Sequence, residues 1–236
     1  MLHSMPAWTA VIPLRAGSKG LPQKNTRLLA GKPLYRHTID QALAAGAQRV
    51  LVTTDIPEVL CADFPAAVQL LHRSADLCGD AVPMAPVMLH ALRSAACQGT
   101  VVLLQATSPL RRIGDIEAAL ALFGSGIFEL VMSVTPADRG VLKWGTLRGN
   151  HFQPLSDPDY CFANRQSLPP VVRPNGAIYV MHADWLLARG SFVSGRTGAI
   201  EMPAQYSYDI DTLEDFARCE SLFESLQPAA GRTGQG

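Results

Sequence analysis

Short unbroken apolar runs, each the length of one strand and each followed by a stretch with helical spacing, constrain this chain most. Trp8 to Pro13, Arg49 to Thr54, Ala67 to Leu71 and Thr100 to Leu104 read as strands. The last, Thr-Val-Val-Leu-Leu, lacks polar alternation, as expected of a strand covered on both faces. Between the first two, Pro33 to Ala45 sets Leu34, Tyr35, Thr38, Ile39, Ala42 and Leu43 on one helical stripe, with Pro in the first turn and Gly46 as a stop. Asp55 fits the N-cap of a short helix after the second strand. Met84 to Cys97 and Ile113 to Phe123 read as further helices, and Glu129 to Val134 as another strand. Strands alternating with helices predict an α/β fold, a doubly wound, mostly parallel sheet of Rossmann-like type. With 236 residues, 48% of them apolar, the chain can bury the core of one such domain, 1–236.

The rhythm fails after Val134. Residues 135–172 are rich in Pro, Gly, Asn, Asp and Arg and read as an excursion, a hairpin or arm that serves a site or a partner. The sheet resumes at Ala177 to Met181, Thr212 to Leu226 reads as a closing helix, and 227–236 as a flexible tail.

Twenty basic and twenty acidic residues cancel, so no global field gathers nucleic acid or an anionic membrane. Five widely spaced cysteines without a C-x-x-C pair favour reduced thiols over a disulfide framework or a zinc site. No apolar run reaches the roughly 18 residues of a membrane span, and the first residues lack the pattern of a signal peptide. The expectation is a soluble, cytoplasmic protein.

Local charge is far from balanced. Residues 1–39 carry six Lys or Arg and no acid. Within them, Val11-Ile-Pro-Leu-Arg15-Ala-Gly17-Ser18-Lys19-Gly20 and the following Lys24-Asn25 read as a strand ending in a loop suited to polyphosphate. Glycines 17 and 20 are expected to free the backbone for φ > 0, and the cations to meet phosphate oxygens. It is not a Walker A loop, since Lys19 precedes Gly20 and no Ser or Thr follows in register. Residues 201–224 hold seven acids and one Arg. In the word Tyr208-Asp-Ile-Asp-Thr-Leu-Glu-Asp215, an extended segment puts Asp209 and Asp211 on one face and Ile210 in the core. Two adjacent carboxylates suit a hard divalent cation, and Thr212-x-x-Asp215 matches a capping box. Two further words, Leu104-Gln-Ala-Thr-Ser-Pro-Leu-Arg111 and Val172-Arg-Pro-Asn-Gly-Ala-Ile-Tyr179, place polar groups beside buried strands. Their plainer readings are a turn at Thr107 or Ser108 and a hairpin turn at Asn175-Gly176.

With these four segments in register over roughly residues 10–215, the chain resembles the acylneuraminate cytidylyltransferases, or CMP-sialic acid synthetases. The resemblance implies transfer of CMP from CTP to a nine-carbon 2-keto-3-deoxy sugar acid, with release of pyrophosphate. It implies Arg15, Ser18, Lys19 and Lys24 on the triphosphate, Asn25 on the ribose, and Arg73 and Asp80 of Arg-Ser-Ala-Asp-Leu-Cys-Gly-Asp on the nucleotide. Gln105, Arg173, Tyr179 and Phe192 match sugar-pocket positions. Asp209 and Asp211 match ligands of Mg²⁺ or Mn²⁺; Arg15, Lys19 and Asp211 match catalytic positions, with Asp211 as candidate base. The excursion resembles a dimerisation arm, whose Lys143 and Arg165 would reach the sugar carboxylate of the neighbouring subunit in a homodimer. Leu14 and Ala106 depart from the family pattern, where Ala and Pro are usual, and Val193 stands where some sialic-acid enzymes place a second aromatic. Val193 leaves the N-acyl sugar open among sialic, legionaminic and pseudaminic acids. A KDO-type cytidylyltransferase and a non-catalytic nucleotide-sugar-binding protein are the alternatives.

Overall fold

A computed structural model describes residues 6–226, so the tail expected at 227–236 lies outside the described residues. In chain order the elements are β1 Trp8–Leu14, β2 Leu28–Leu29, β3 Lys32–Pro33, α1 Leu34–Ala44, β4 Arg49–Thr54, α2 Pro57–Leu60, β5 Val68–His72 and α3 Met84–Ser94. Then follow β6 Thr100–Leu104, α4 Ile113–Gly124, β7 Leu130–Ala137, β8 Gly145–Arg148, β9 His151–Pro154, β10 Val171–His182, α5 Ala183–Arg189, β11 Thr197–Glu201 and α6 Leu213–Leu226.

Seven strands form one sheet in the order β11-β7-β10-β6-β1-β4-β5. Every neighbouring pair is parallel except those of β10, which runs antiparallel to both β6 and β7. The expected mostly parallel, doubly wound sheet is therefore present. Its two faces follow from the period-2 pleat: Ala10, Ile12 and Leu14 of β1 pack with Ile39 of α1 and Ile116 of α4. Val11, between them, faces Met88 and Leu92 of α3. Fully buried Val101–Leu104 explains why β6 shows no polar alternation.

Several elements differ from expectation. β10 begins at Val171 rather than Ala177, and Asn175-Gly176 is not a hairpin turn but a bulge inside this one strand, where pairing with β7 slips between Pro174 and Tyr179. Gly176 takes φ +79° there. Asn175 holds the bulge: it is buried, its Oδ1 accepts from Ser133 Oγ and Ala177 N, and its Nδ2 donates to Ser207 Oγ at 2.9 Å. α5 and the edge strand β11 carried no usable signal, being seven and five residues long with weak periodicity. The excursion contains the antiparallel hairpin β8–β9. Asp55 does not cap α2; Ile56 occupies that position. All five cysteines are free thiols, and among the described residues no helix is long and apolar enough to cross a membrane.

Arg111 ties the middle of the sheet together. Its side chain is fully buried, and it donates to the carbonyls of Ala177 (2.6 Å) and Gln105 (3.3 Å), to Thr38 Oγ1 and to Gln41 Oε1. Gln41 in turn donates to the Pro109 and Arg111 carbonyls. Burial pushes the guanidinium pKa down to about 9, so at neutral pH the side chain remains charged and is set against carbonyl dipoles. Replacing both members of a buried polar pair by apolar groups can be neutral, but here the acceptors would stay behind, each costing about 1–3 kcal/mol. Arg111→Met is expected to lower unfolding free energy in urea by roughly 3 kcal/mol. A loss below about 0.5 kcal/mol, the level of an ordinary surface substitution, would contradict this role.

Candidate active site

The C-terminal ends of β1, β5 and β6, where open α/β sheets bind ligands, converge on a cavity of about 210 Å³. Arg15, Ser18, Lys24 and Asn25 reach it from the loop after β1, Arg73 from the end of β5, and Gln105 with Thr107 from the end of β6. Asp209 and Asp211 close it. The same two carboxylates line a second cavity of about 480 Å³, together with Thr135, Arg173, Tyr208 and Asp215. The Asp-Ile-Asp word is thus a wall shared by two chambers.

That wall is fixed by its neighbours. Ile210 is buried in an apolar cluster with Leu21, Leu29, Leu34, Leu110 and Phe216, and its N–H donates to the Thr107 carbonyl at 2.9 Å. With Ile210 inward, Asp209 and Asp211 both face outward, as the alternation implied. Lys24, buried, donates its Nζ to the Ile210 carbonyl at 2.7 Å and to Asp211 Oδ1 at 2.9 Å. The capping role belongs to Asp215: its Oδ2 accepts from Thr212 N at 2.8 Å while Thr212 Oγ1 accepts from Asp215 N. Asp209 and Asp211 are left out of capping. The expected conformational role of Gly17 and Gly20 is corrected: neither has positive φ, and Gln23 (φ 55°) supplies the left-handed residue of the loop. Gly20 matters for space instead, since a Cβ there would collide with the Asp211 carbonyl oxygen.

The other cations are paired too. Asp80 bridges Arg15 Nη1 and Lys19 Nζ, and the Lys19 and Arg15 hydrogen bonds hold its carboxyl below the ordinary range. Asn25 donates to the Arg15 carbonyl at 3.0 Å. Arg73 is 3% exposed and donates to the Thr53 carbonyl at 3.0 Å, but its Nε–H meets no acceptor among the described residues. A buried, cavity-lining guanidinium with a donor to spare suits an oxygen-bearing ligand. Tyr179 and Phe192 pack with ring centroids 6.0 Å apart. Burial, and then the charge of Asp209, push the Tyr179 pKa up. Gln105 lies against the β10 bulge, its Nε2 3.6 Å from where a Gly176 Cβ would stand.

Lys143 and Arg165 are not brought to either cavity. Both sit on the excursion, where Lys143 donates to the Ala163 carbonyl and Arg165 pairs with Asp138 at 2.7 Å. Two residues of the site have only a cap and a turn as their reading in the sequence. Asp55, at the end of β4, accepts the Ala16 N–H at 2.8 Å and so props the first loop; an acid at the ligand end of a parallel strand was the available signal. Thr107 stands beside Asp209, and its hydroxyl favours the charged form of that carboxyl. The Asp209 carboxylate opens to the cavity, yet burial pushes its pKa up, opposed by the Thr107 hydroxyl and reinforced by Asp211.

A strand-end cradle of cations facing a carboxylate pair defines a nucleotide-dependent transferase of the α/β class. Comparison with known proteins narrows this: the family model described as cytidylyltransferase matches residues 9–135. The chain belongs to the cytidylyltransferase family. It is 36% identical over 235 residues to a CMP-N,N'-diacetyllegionaminic acid synthase of Legionella pneumophila, covering 93% of this chain and 97% of that protein. It is 32% identical over 219 residues to an N-acylneuraminate cytidylyltransferase of Streptococcus agalactiae, covering 87% of this chain. The chain spans about half (51%) of that streptococcal relative's length. The solved structure of a CMP:2-keto-3-deoxy-manno-octonic acid synthetase complexed with CTP superposes with a TM-score of 0.69 at 17% identity, over 94% of this chain and 100% of that one. At that identity the likeness shows the fold.

The balance of forces on Asp209 gives a direct check. Its folded-state pKa lies above the unfolded value, so ionised Asp209 costs stability at neutral pH, and the cost is lifted as pH falls through the raised pKa. Thr107→Val removes the donor that favours the charged form, and Asp209 should titrate at still higher pH by carboxyl NMR. An unchanged or lowered midpoint would contradict the assignment.

Proposed function

We propose that the chain transfers CMP from CTP to a nine-carbon 2-keto-3-deoxy sugar acid, forming a CMP-sugar and pyrophosphate. The observation that carries this reading is the shared wall: Asp209 and Asp211 face both a chamber rimmed by Arg15, Lys24 and Arg73 and a larger one holding Arg173. A two-substrate transfer needs its charge-handling groups where the substrates meet. The legionella and streptococcal relatives are named for nonulosonic acids, which favours the nine-carbon acceptor over KDO.

In this reading the nucleotide lies in the smaller chamber, with Arg15, Ser18, Lys19 and Lys24 at the triphosphate and Asn25 and Arg73 at the nucleoside, and the acceptor lies in the larger one against Arg173. Gln105 lines the smaller chamber and Tyr179 and Phe192 line neither, so their sugar-pocket roles rest on the resemblance alone. The C2 hydroxyl of the sugar attacks the α-phosphorus in line; the new P–O bond forms as the bond to pyrophosphate breaks. Arg15 and Lys19 stabilise the charge that gathers on the leaving pyrophosphate. Asp211 is the candidate base for the hydroxyl proton. Asp209 and Asp211 would also hold Mg²⁺, or Mn²⁺. The donor set fits: two carboxylates share one face, while Asp215, which lines the larger cavity with them, is engaged by Thr212, and a hard ion held by two carboxylates takes its other ligands from substrate phosphates and water. Bound there, the ion supplies charge neutralisation at the phosphates.

The arm completes the proposal. It exposes Trp144 (62%), Leu147 (70%), Leu155 (65%) and Phe162 (92%), an apolar surface of the kind that marks an interface. A homodimer in which this surface is covered would bring Lys143 and Arg165 to the partner's acceptor chamber.

Incubation with CTP, Mg²⁺ and a panel of nonulosonic acids plus KDO should release pyrophosphate with at least one nonulosonic acid, and the enzyme should sediment as a dimer. Asp211→Ala should lower the rate about 10²- to 10³-fold, the scale of a lost electrostatic stabiliser. Release with no sugar would sink the enzymatic reading; a signal with KDO alone would sink the nine-carbon one.

A further inference from the structure

Asp80 stands apart from the other acids of the site. Its two carboxylate oxygens are spent on two different cations, Oδ1 on Arg15 Nη1 and Oδ2 on Lys19 Nζ at 2.9 Å. A carboxylate gripping two cations at once makes the contacts a phosphate group would make with the same pair. Arg15 lines the nucleotide chamber, and Lys19, 85% exposed at its side chain, has no other carboxylate partner among the described residues. Asp80 itself does no work for the fold. It lies between the short turn at Ala75–Leu77 and α3, among exposed Gly79, Ala81 and Pro83. Its carboxylate accepts no backbone hydrogen bond among the described residues.

A phosphate tail and Asp80 compete for the same two cations: at contact distance the two anions repel, and the Asp80 carboxylate takes up donors that the tail would otherwise use. We propose that Asp80 is a displaceable internal counter-ion, an occupant of the polyphosphate subsite that must leave Arg15 and Lys19 when a triphosphate tail binds and that competes with pyrophosphate for them afterwards. This rests on the cytidylyltransferase reading of the cavity. It has a sign opposite to that of the nucleotide contact that the resemblance implied for Asp80. A residue that contacts the nucleotide weakens binding when removed, whereas a competitor strengthens it. Asp80 thereby sets the affinity for the phosphate tail below what Arg15 and Lys19 alone would give, and favours departure of the leaving group. The nucleoside, held elsewhere, is untouched by the exchange.

Calorimetric titration of the full chain with inorganic pyrophosphate in metal-free buffer, and separately with CMP, tests this. Asp80→Asn should bind pyrophosphate roughly 3- to 10-fold more tightly, the range expected for lost exposed ion pairs, with CMP affinity changed less than about twofold. Its pyrophosphate affinity should also fall more steeply with added salt, because the subsite is more positive. Asp80→Glu, which keeps the charge, should return affinity toward that of the unsubstituted chain. Equal or weaker pyrophosphate binding by Asp80→Asn, with the unsubstituted chain binding normally, overturns the inference and leaves the cytidylyltransferase reading standing. If the unsubstituted chain binds neither CMP nor pyrophosphate, that reading fails and the inference fails with it.

Discussion

The site is assembled by one docking event between segments some 190 residues apart in sequence. Ile210 buries its side chain beside Leu21 and Leu29, and this apolar contact, non-directional by itself, brings the acidic word against the basic loop. Lys24 then fixes the register by reaching both the Ile210 carbonyl and the Asp211 carboxylate. Gly20 permits the approach, its Cα lying where any side chain would strike the Asp211 backbone. Hydrophobic burial supplies the drive, and a buried lysine with two acceptors supplies the specificity.

The remaining architecture serves to hold that junction at the mouth of two chambers. A lone antiparallel strand, β10, is inserted in a parallel sheet, and its bulge is pinned by Asn175 to β7 on one side and to Ser207, two residues before Asp209, on the other. Arg111 joins the same strand to the Gln105 turn. Rigid groups therefore surround a set of charges that are paired with one another, Lys24 with Asp211 and Arg15 with Asp80. Such pairing keeps long, flexible cations aimed at the chamber, at the cost of having to be broken in part when an anionic ligand competes for them.

What could be read from the sequence divides along physical lines. Strands such as β1, β4 and β6 were legible because both faces are buried and the apolar run is unbroken. Asp209 and Asp211 were legible because alternation about an apolar residue leaves few options. The glycines were recognised for the wrong reason: Gly20 answers to a neighbour distant in sequence, which no local pattern encodes. Asn175-Gly176 has the composition of a turn, and only the partner strands on both sides make it a bulge. The site roles of Asp55 and Thr107 were missed for a similar cause, since a single acid or hydroxyl acquires its role from what the sheet sets opposite it. Lys143 and Arg165 lie on the arm, engaged with Ala163 and Asp138, and their proposed role depends on a second subunit.

If the basic loop and the acidic word form one binding unit through backbone contact at Gly20, a pair of glycine variants reveals it most directly. Gly17 has no positive φ and nothing within 4 Å of where a Cβ would stand, so it should tolerate Ala. Gly20→Ala must push the loop from Asp211. Measured by calorimetry with CTP and Mg²⁺, Gly17→Ala should bind within about twofold of the unsubstituted chain, as for a surface change. Gly20→Ala should bind at least about tenfold more weakly, on the scale of a roughly 1–3 kcal/mol overpacking penalty. Equal affinity in the two variants would contradict the account.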